Sequence, residues 1–317
     1  MDDVPELTGP FTRAQALEAG VTSRMLQGRG FVRVHPRVWK KSAHIMTDDD
    51  WVTAAILALP SEAQLTGITR LQRLGLTYGP RRPIRFVVQG DLHRAVDGIF
   101  LHRTKLMPPL DDVGVCVEAA FMSYCSRCRV IDAIKVGDWL LHNNHMDRAR
   151  LLDLAVAQPW RDGAQEAMWV EPYLDHRARS LKESETRSIL EFAGLPRPES
   201  NVELGLEEDI RVVGDLVYRQ WGTLVEYEGM QHQEDRDQYT SDIDRYALLR
   251  EHQRSYVQVT KEHLASPRKV VLKVDKALRE NGYDGPRPVF GQRWEQLFRS
   301  LSAAVGPRGR PGRKDAA

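Results

Sequence analysis

Three carboxylates in the second half of the sequence have the residue types and the spacing of a metal-binding site. The apolar alternation of residues 210–218 and 223–228 predicts two strands that a four-residue turn joins into a hairpin. Because side chains alternate between the faces of a strand, Glu226 and Glu228 share one face, and the turn places Asp215 opposite Glu226. Cross-strand neighbours lie about 5 Å apart, where like charges repel. We therefore expect a divalent cation among these acids.

A further acid, Glu185, lies on the apolar face of the helix that precedes the hairpin. This helix is expected to begin near Ser180 and end at Gly194, with Leu181, Glu185 and Ile189 on one stripe. A carboxylate on a core-facing stripe is costly unless a partner compensates it. A cation shared with the hairpin acids would do so, and Mg²⁺ or Mn²⁺ suits such oxygen ligands. The alternative is a solvated acidic hairpin face that arginines balance.

The sequence around these acids contains four runs in a fixed order, and a strand at 256–260 and a helix from Ser266 to Gly282 follow them. The residues of these runs are Ser184, Glu185 and Arg187; Asp215; Glu226, Tyr227, Glu228, Gly229 and His232; and Asp242, Ile243 and Arg245. In this order, residues 184–283 resemble the nuclease-like domains related to very-short-patch-repair endonucleases, a branch of the restriction-endonuclease-like superfamily. The resemblance implies a central mixed sheet flanked by helices.

The resemblance also implies a role for each acid. Asp215 and Glu226 would be the principal metal ligands, Glu228 a further or water-mediated ligand, and Glu185 an outer acid. The bound Mg²⁺ or Mn²⁺ would neutralise charge on a DNA phosphate and lower the pKa of a bound water for in-line attack. His232, whose ordinary pKa is near neutrality, would orient that water or protonate the leaving oxygen. A histidine after a glycine is otherwise a loop residue.

The sequence departs from the family pattern at three places. Glu228 replaces the usual Asp and is one methylene longer, which changes the ligand distances. Gln253 and Arg254 replace the Gly-Trp pair before the last strand, which concerns packing more than chemistry. Many restriction-type enzymes have a lysine two residues after the acid at Glu226, and Lys261 is a weak substitute for it.

Basic and acidic residues are segregated along the chain. Residues 11–41 contain seven basic residues and one acid, whereas residues 199–244 contain thirteen acids and three arginines. Such asymmetry predicts one part that meets a polyanion and another that collects cations. Two solvated surfaces of opposite sign are the alternative.

The basic segment has the pattern of a winged helix-turn-helix. A helix from Thr12 to Ala19 is expected, then a second helix from Thr22 or Ser23 to Gln27, and a two-strand wing at 31–34 and 37–40. A generic helical hairpin fits the spacing equally well, and the basic excess favours DNA binding. The residues expected at the major groove are Ser23, Arg24, Gln27 and Arg29, and those expected at phosphates are Arg33, Arg37, Lys40 and Lys41.

This segment resembles the winged helix of AbiEi-type antitoxins, and the region behind it resembles the same group more weakly. The predicted domains are a winged helix-turn-helix at 1–45, an AbiEi-like mixed α/β region at 46–175, the nuclease-like domain at 176–284, a docking helix at 285–304 and a disordered basic tail at 305–317. The predicted fold class is therefore α/β in the broad sense (α+β).

A zinc site in the middle region is considered and disfavoured. Cys125 and Cys128 precede His142 and His145 at close to zinc-finger spacing. The two histidines are closer together than is usual, and the cysteines lie in a stretch that is expected to be helical. Buried cysteines with unrelated histidines are the favoured interpretation.

The composition is typical of globular proteins. The net charge is +1 and the hydrophobic fraction is 42%, and no apolar run is long enough to cross a bilayer. The first residues lack the layout of a signal peptide, and three cysteines are an odd and sparse set for a disulfide scaffold. We therefore expect a cytoplasmic protein without membrane contact.

The favoured function is a Mg²⁺-dependent endonuclease that docks on DNA through its N-terminal wing and cuts through its C-terminal domain. A role in phage defence or DNA processing would follow by analogy. The alternative is a non-enzymatic, antitoxin-like DNA-binding transcriptional regulator whose nuclease-like domain is a scaffold, and an RNA-acting toxin would share the metal site. A domain that serves only as a scaffold does not need Asp215 opposite Glu226. This pair of acids therefore favours the enzyme. The expected partner is DNA, and a partner protein or a second copy remains open.

Overall fold

The computed structural model describes residues 7–205, 211–228, 252 and 254–306 of the chain, and it has a mixed α/β fold. Contacts divide the chain into two units, Met1–Phe121 and Met122–Ala317. This division falls inside the region predicted as a single middle domain. No helix in the described part is long and apolar enough to cross a membrane. The predicted residues that lie outside the described part are Gly229, His232, Asp242, Ile243, Arg245, Gln253 and the tail from 307 onward.

The N-terminal unit begins with a three-stranded antiparallel sheet in the order β1-β3-β2. Its elements are β1 (Phe11–Thr12), α1 (Arg13–Glu18), β2 (Phe31–His35) and β3 (Val38–Lys41). The Thr12 and Gln15 side chains form a reciprocal capping box that begins α1, and Gly20, with a φ of 74°, follows its end. Phe11, Ala16 and Leu26 form the core of this subdomain. The predicted first helix and wing strands are thus present with small differences in their bounds.

The predicted second helix of the helix-turn-helix is wrong in extent. Only Met25–Gln27 is helical, and it is a single 3-10 turn. Few residues lie between Gly20 and Gly28. A short helix is unfavourable because several residues must be ordered before hydrogen bonds compensate for the lost conformational entropy. Leu26 is buried and anchors the turn. A groove-reading helix of ordinary length is therefore not formed by residues 22–27.

The remainder of the N-terminal unit consists of short strands and helices around a second sheet. Its elements are α2 (Asp48–Ala58), β4 (Gln64–Leu65), α3 (Gly67–Gln72), β5 (Ile84–Gln89), β6 (Ile99–Thr104), β7 (Leu110–Asp111), β8 (Gly114–Val115) and α4 (Val117–Cys125), which crosses into the next unit. The sheet order is β4-β5-β6, and β7 pairs with β8. The two helices and two strands predicted between residues 51 and 102 correspond to α2, α3, β5 and β6.

The C-terminal unit combines helices with one four-stranded sheet in the order β12-β11-β10-β9. Its helices are α5 (Val130–His142), α6 (Arg148–Ala157), α7 (Ala164–Val170), α8 (Leu181–Phe192), α9 (Lys261–Leu264), α10 (Pro267–Glu280), α11 (Gln292–Phe298) and α12 (Leu301–Val305). Its strands are β9 (Glu199–Gly205), β10 (Arg211–Tyr218), β11 (Thr223–Glu228) and β12 (Ser255–Thr260). The sheet is mixed, because β11 is antiparallel to β10 and parallel to β12.

The hairpin that the sequence predicts is present with the predicted register. Tyr218 pairs with Thr223 across the turn, as a four-residue connection requires. β9, which the sequence analysis missed, pairs antiparallel with β10. The single docking helix predicted for 285–304 is instead two short helices, α11 and α12, because Arg299 and Ser300 have extended backbone between them.

A buried ion pair joins α5 to α8. Arg187 Nη2 donates to Asp138 Oδ2 at 2.6 Å, and neither side chain is exposed to solvent. Asp138 Oδ1 also accepts a hydrogen bond from the backbone N–H of Asp175 at 2.7 Å. A buried charge is tolerated only next to its partner, so this pair fixes the position of α8.

We expect Arg187→Leu to lower the free energy of unfolding by about 3–5 kcal/mol, because it leaves the Asp138 carboxylate buried without its cation. Urea denaturation of the purified protein measures this loss. The control is Arg299→Leu, which removes an exposed pair with Glu295 and should cost about 0.5 kcal/mol or less. Equal, small losses in both variants would contradict a structural role for the buried pair.

Candidate functional site

The hairpin brings two of the predicted acids together at adjacent positions. The pairing runs from Tyr218 with Thr223 to Leu216 with Val225, so that Asp215 and Glu226 each lie one residue beyond the last pair. Asp215 Oδ2 accepts a hydrogen bond from the backbone N–H of Tyr227 at 3.0 Å. The Asp215 carboxylate therefore reaches across to β11 at the residue after Glu226.

Burial distinguishes the acids of the hairpin. Glu226 is only 6% exposed, whereas Asp215 and Glu228 are half-buried. Glu228 Oε1 accepts a hydrogen bond from the Tyr256 hydroxyl at 3.5 Å. Glu226 and Glu228 lie beside Gln258 and Thr260 of the parallel strand β12. The two acids of β11 thus lie next to polar residues of the neighbouring strand.

A glycine precedes Asp215 because the sheet leaves no room for a side chain there. A Cβ atom at Gly214 would lie 2.6 Å from Val217 Cγ2 and 3.1 Å from Leu224 Cδ2. Both distances are shorter than ordinary van der Waals contacts. Gly214 therefore allows the close packing of β10 against β11 at the position where the carboxylate of Asp215 crosses between them.

Glu185 is not part of this acid group, which corrects the sequence-based expectation. Its Oε2 accepts hydrogen bonds from Lys135 Nζ and Lys182 Nζ, each at 2.9 Å. Burial raises the pKa of Glu185, but the bonds and charges of the two lysines outweigh burial and hold it below its ordinary value. The partner that a carboxylate on this stripe requires is a pair of ammonium groups.

Glu183 takes the place that was expected for Glu185. It is 7% exposed, and α8 packs against both β10 and β11. Burial raises the pKa of Glu183 above its ordinary value, and the charge of Asp215 raises it further. Glu183 of α8 and Asp215 of β10 therefore interact electrostatically, and the Asp215 carboxylate bonds to β11 at Tyr227, the residue after Glu226.

Asn201 on β9 orients the Glu183 carboxylate. Its side-chain amide donates to Glu183 Oε2 at 2.5 Å and to the carbonyl oxygen of Arg177 at 2.8 Å. The backbone of Asn201 has a φ of 49°, a left-handed conformation that Asn adopts more easily than most residues. The same Glu183 oxygen accepts from the backbone N–H of Arg179 at 3.0 Å. β9, which was not predicted, thus supplies the contact that holds the Glu183 carboxylate in place.

The sequence did contain a signal for Glu183. Ser180 followed by Glu183 is the pattern of a capping box at a helix start. Ser180 Oγ accepts the expected bond from the backbone N–H of Glu183 at 3.1 Å, but the carboxylate bonds to Arg179 N–H instead of the cap residue. The third residue of this helix therefore carries a carboxylate that bonds to Arg179 and Asn201 instead of the cap residue.

The donor set is compatible with Mg²⁺ on chemical grounds. In the described part of the chain, no group of three or more His, Cys, Asp or Glu side chains is arranged to hold a metal. Mg²⁺ needs only one or two carboxylates, because it keeps several waters and takes further oxygens from substrate phosphates. Asp215 and Glu226 provide two such carboxylates. The role of His232, which lies outside the described residues, stays a prediction, and Lys261 is exposed at the start of α9, just after Thr260.

The four residues considered for zinc make separate contacts. Cys125 and Cys128 are buried near each other, with Cys128 Sγ 3.9 Å from the Cys125 carbonyl oxygen. His142 Nδ1 lies 3.2 Å from the carbonyl oxygen of His176. The His145 ring packs against Trp139, with 5.2 Å between ring centroids. These contacts match the interpretation of buried cysteines with unrelated histidines.

The residues predicted to contact DNA are mostly exposed on the N-terminal sheet and its turns. Ser23 and Lys40 are half-buried, with Ser23 Oγ accepting from Arg13 Nη2 at 2.6 Å and Lys40 Nζ donating to the His44 carbonyl oxygen at 2.7 Å. The exposed ones are Arg24, Gln27, Arg29, Arg33, Arg37 and Lys41. The arginines and Lys41 can therefore meet phosphates without rearrangement, whereas Ser23 and Lys40 already have protein partners.

Comparison of the chain with protein-family models, with curated proteins and with solved structures gave no match. The family resemblance accordingly rests on the residues and their order alone.

We expect the Glu183→Gln and Glu185→Gln variants to respond to pH with opposite signs. A carboxyl with a raised pKa stabilises the fold below the unfolded pKa, and this contribution is lost as pH rises through the folded pKa. Glu183→Gln should therefore gain stability relative to the parent protein as pH rises above about 4.3, the ordinary glutamate pKa. Glu185, with a lowered pKa, contributes stability above that value, so Glu185→Gln should lose stability there.

Urea unfolding of the parent protein and both variants between about pH 2.5 and pH 8 provides the measurement, which covers the ranges below and above the ordinary glutamate pKa. A Glu183→Gln variant that is destabilised at neutral pH as much as Glu185→Gln would contradict the assignment of Glu183 to the acid group.

Proposed function

We propose that this protein is a metal-dependent endonuclease that hydrolyses phosphodiester bonds in DNA. The observation that carries the proposal is that the buried Glu183 of α8 meets the charge of Asp215 of β10, whose carboxylate bonds to β11 at the residue after the buried Glu226. A divalent cation stabilises carboxylates that lie close to one another. An acid group of this kind suits a site that collects metal and phosphate better than a structural core.

The carboxylates have distinct tasks under this proposal. Mg²⁺ or Mn²⁺, when bound, supplies Lewis acidity to the phosphate and acidifies a water. Asp215 and Glu226 would hold the ion, and Glu228 would bind it directly or through water. Glu183 is suited to accept the proton of the attacking water, because a raised pKa makes a carboxylate a better base near neutral pH. Asn201 holds the Glu183 side chain in place for that transfer.

DNA docking by the N-terminal sheet is the second part of the proposal. Arg33 and Arg37 are exposed on β2 and in the turn between β2 and β3, and Arg24 and Arg29 are exposed beside the 3-10 turn. Arginine side chains bind phosphate oxygens through paired hydrogen bonds. Because the segment 22–27 forms only a short turn, phosphate contacts rather than a groove-reading helix are the favoured role of this unit.

We expect Asp215→Asn and Glu226→Gln each to lower DNA cleavage in Mg²⁺ by roughly 100-fold or more, since each removes a ligand charge and tenfold in rate corresponds to 1.36 kcal/mol. Supercoiled and linear DNA are incubated with the purified protein in Mg²⁺, in Mn²⁺ and in EDTA, and the products are separated on gels. Glu203→Gln is the matched control, because it removes an exposed acid of the same sheet that pairs with Arg211.

Cleavage that survives both substitutions would place the chemistry elsewhere. If neither metal supports cleavage of DNA while the protein still binds it, the non-enzymatic DNA-binding regulator becomes the better assignment. Cleavage of RNA without cleavage of DNA would make RNA the substrate and would leave the assignment of the acid residues unchanged.

We expect the Arg33→Ala, Arg37→Ala double variant to weaken DNA binding equally for unrelated sequences. Each lost phosphate contact should reduce the slope of log affinity against log salt by about 0.9. Fluorescence anisotropy with labelled duplexes at several salt concentrations, in EDTA, measures both quantities. Arg81→Ala serves as control, because that arginine forms a surface pair with Asp48 at 3.3 Å. An unchanged slope in the double variant would show that the sheet does not contact phosphates.

A further inference from the structure

A groove lies between β12 and the start of α10 in the C-terminal unit. Its cavity volume is about 390 Å³. Its polar lining residues are Gln258, Glu262, His263, Ser266, Lys269 and Lys273. We call it the β12–α10 groove.

The groove begins one strand away from the candidate catalytic acids. β12 runs parallel to β11, and Gln258 pairs with Glu226 while Thr260 pairs with Glu228. Neighbouring strands lie about 4.8 Å apart. Lys273 Nζ donates to the carbonyl oxygen of Gln258 at 2.9 Å, which places its ammonium group at this edge. The same strand therefore borders the acids on one side and the groove on the other.

The groove is cationic. Lys269 and Lys273 are exposed and lie four residues apart, on one face of α10. In the described part of the chain neither lysine forms an ion pair with an acid. Lys276, farther along the same helix, differs in this respect because it pairs with Glu280 at 3.7 Å. Among the described lining residues one is acidic, Glu262, and it is exposed at the rim.

The start of α10 adds neutral donors to the two lysines. Pro267 is the first residue of this 14-residue helix, and its first turn contains no acid. Ser266 precedes it and its side chain makes no capping hydrogen bond. Ser266 and the two lysines therefore line the groove with donors.

We propose that the β12–α10 groove binds the sugar-phosphate backbone of the DNA strand that enters the neighbouring acid site. This inference rests on the proposed endonuclease function and adds a substrate-binding surface to it. Lys269 and Lys273 act as point charges for successive phosphates, and Ser266 donates to a phosphate oxygen. Glu262 repels the same backbone and keeps the affinity moderate. Backbone contacts of this kind position a strand without reading its sequence.

The test is DNA binding by the full chain with Lys269→Gln and Lys273→Gln combined, measured by anisotropy of a labelled duplex in EDTA over a salt series. Two lost contacts should lower the slope of log affinity against log salt by about 1.8. The affinity at low salt should fall at least tenfold, whereas Glu262→Gln should raise it. Glutamine keeps a donor for the Gln258 carbonyl, and the urea midpoint of each variant verifies that it folds.

Lys276→Gln is the matched control, since it removes the same charge from the same helix outside the groove. The groove assignment is overturned if the double variant binds like the parent protein, or if its slope changes no more than that of Lys276→Gln. It is also overturned if an RNA duplex of equal length responds to the double variant and DNA does not. Binding is measured without metal, so a protein that cuts no DNA but shows the expected slope change refutes the endonuclease and keeps the groove.

Discussion

The ion pair between Asp138 and Arg187 fixes the position of α8, the helix that carries Glu183 and Glu185, in the C-terminal unit. Both side chains are fully buried, so each charge is stable only beside the other, and α8 cannot shift along α5 without exposing an unpaired charge to the core. Asp138 also accepts from the backbone of Asp175, and Asp175 in turn accepts from Ser200 Oγ on β9 at 2.8 Å. The carboxylates of Asp138 and Asp175 thus tie two helices and a strand together.

The position of α8 explains why two glutamates on one helix have opposite electrostatic surroundings. Glu183 and Glu185 are two residues apart, which corresponds to about 200° around the helix axis. Glu185 faces Lys135 and Lys182, which favour its charged form. Glu183 faces Asn201 and the hairpin acids, where burial and the charge of Asp215 disfavour its charged form. A helix rotated by half a turn would exchange these surroundings.

Features that depend on neighbouring residues in the chain could be predicted from the sequence. The hairpin between β10 and β11 is one, because the turn length determines its register, which pairs Tyr218 with Thr223 and Leu216 with Val225. The first helix is another, because Thr12 and Gln15 cap it through their own side chains. Helix α10 is a third, with apolar residues at helical spacing between a proline at its start and a glycine beyond its end.

Features that depend on distant residues could not be predicted. The apolar stripe put Glu185 in the acid group because periodicity shows that a carboxylate is buried but not which partner it meets, and Lys135 is fifty residues away. β9 was missed because its short alternation, centred on Val202 and Leu204, becomes a strand only by pairing with β10. The second helix at the N-terminus was overestimated because its extent depends on Leu26, which lies in a single 3-10 turn and packs in a core formed with Phe11 and Ala16.

The sequence by itself therefore determined the mixed α/β class, the hairpin that carries Asp215 and Glu226, and the charge segregation, since composition, turn length and side-chain alternation are local properties of the chain. Only the tertiary structure decided which helix acid joins that pair, which strand orients it, and where exposed lysines gather beside it. These depend on which surfaces pack together, and packing is fixed by long-range burial and by the buried Asp138–Arg187 pair.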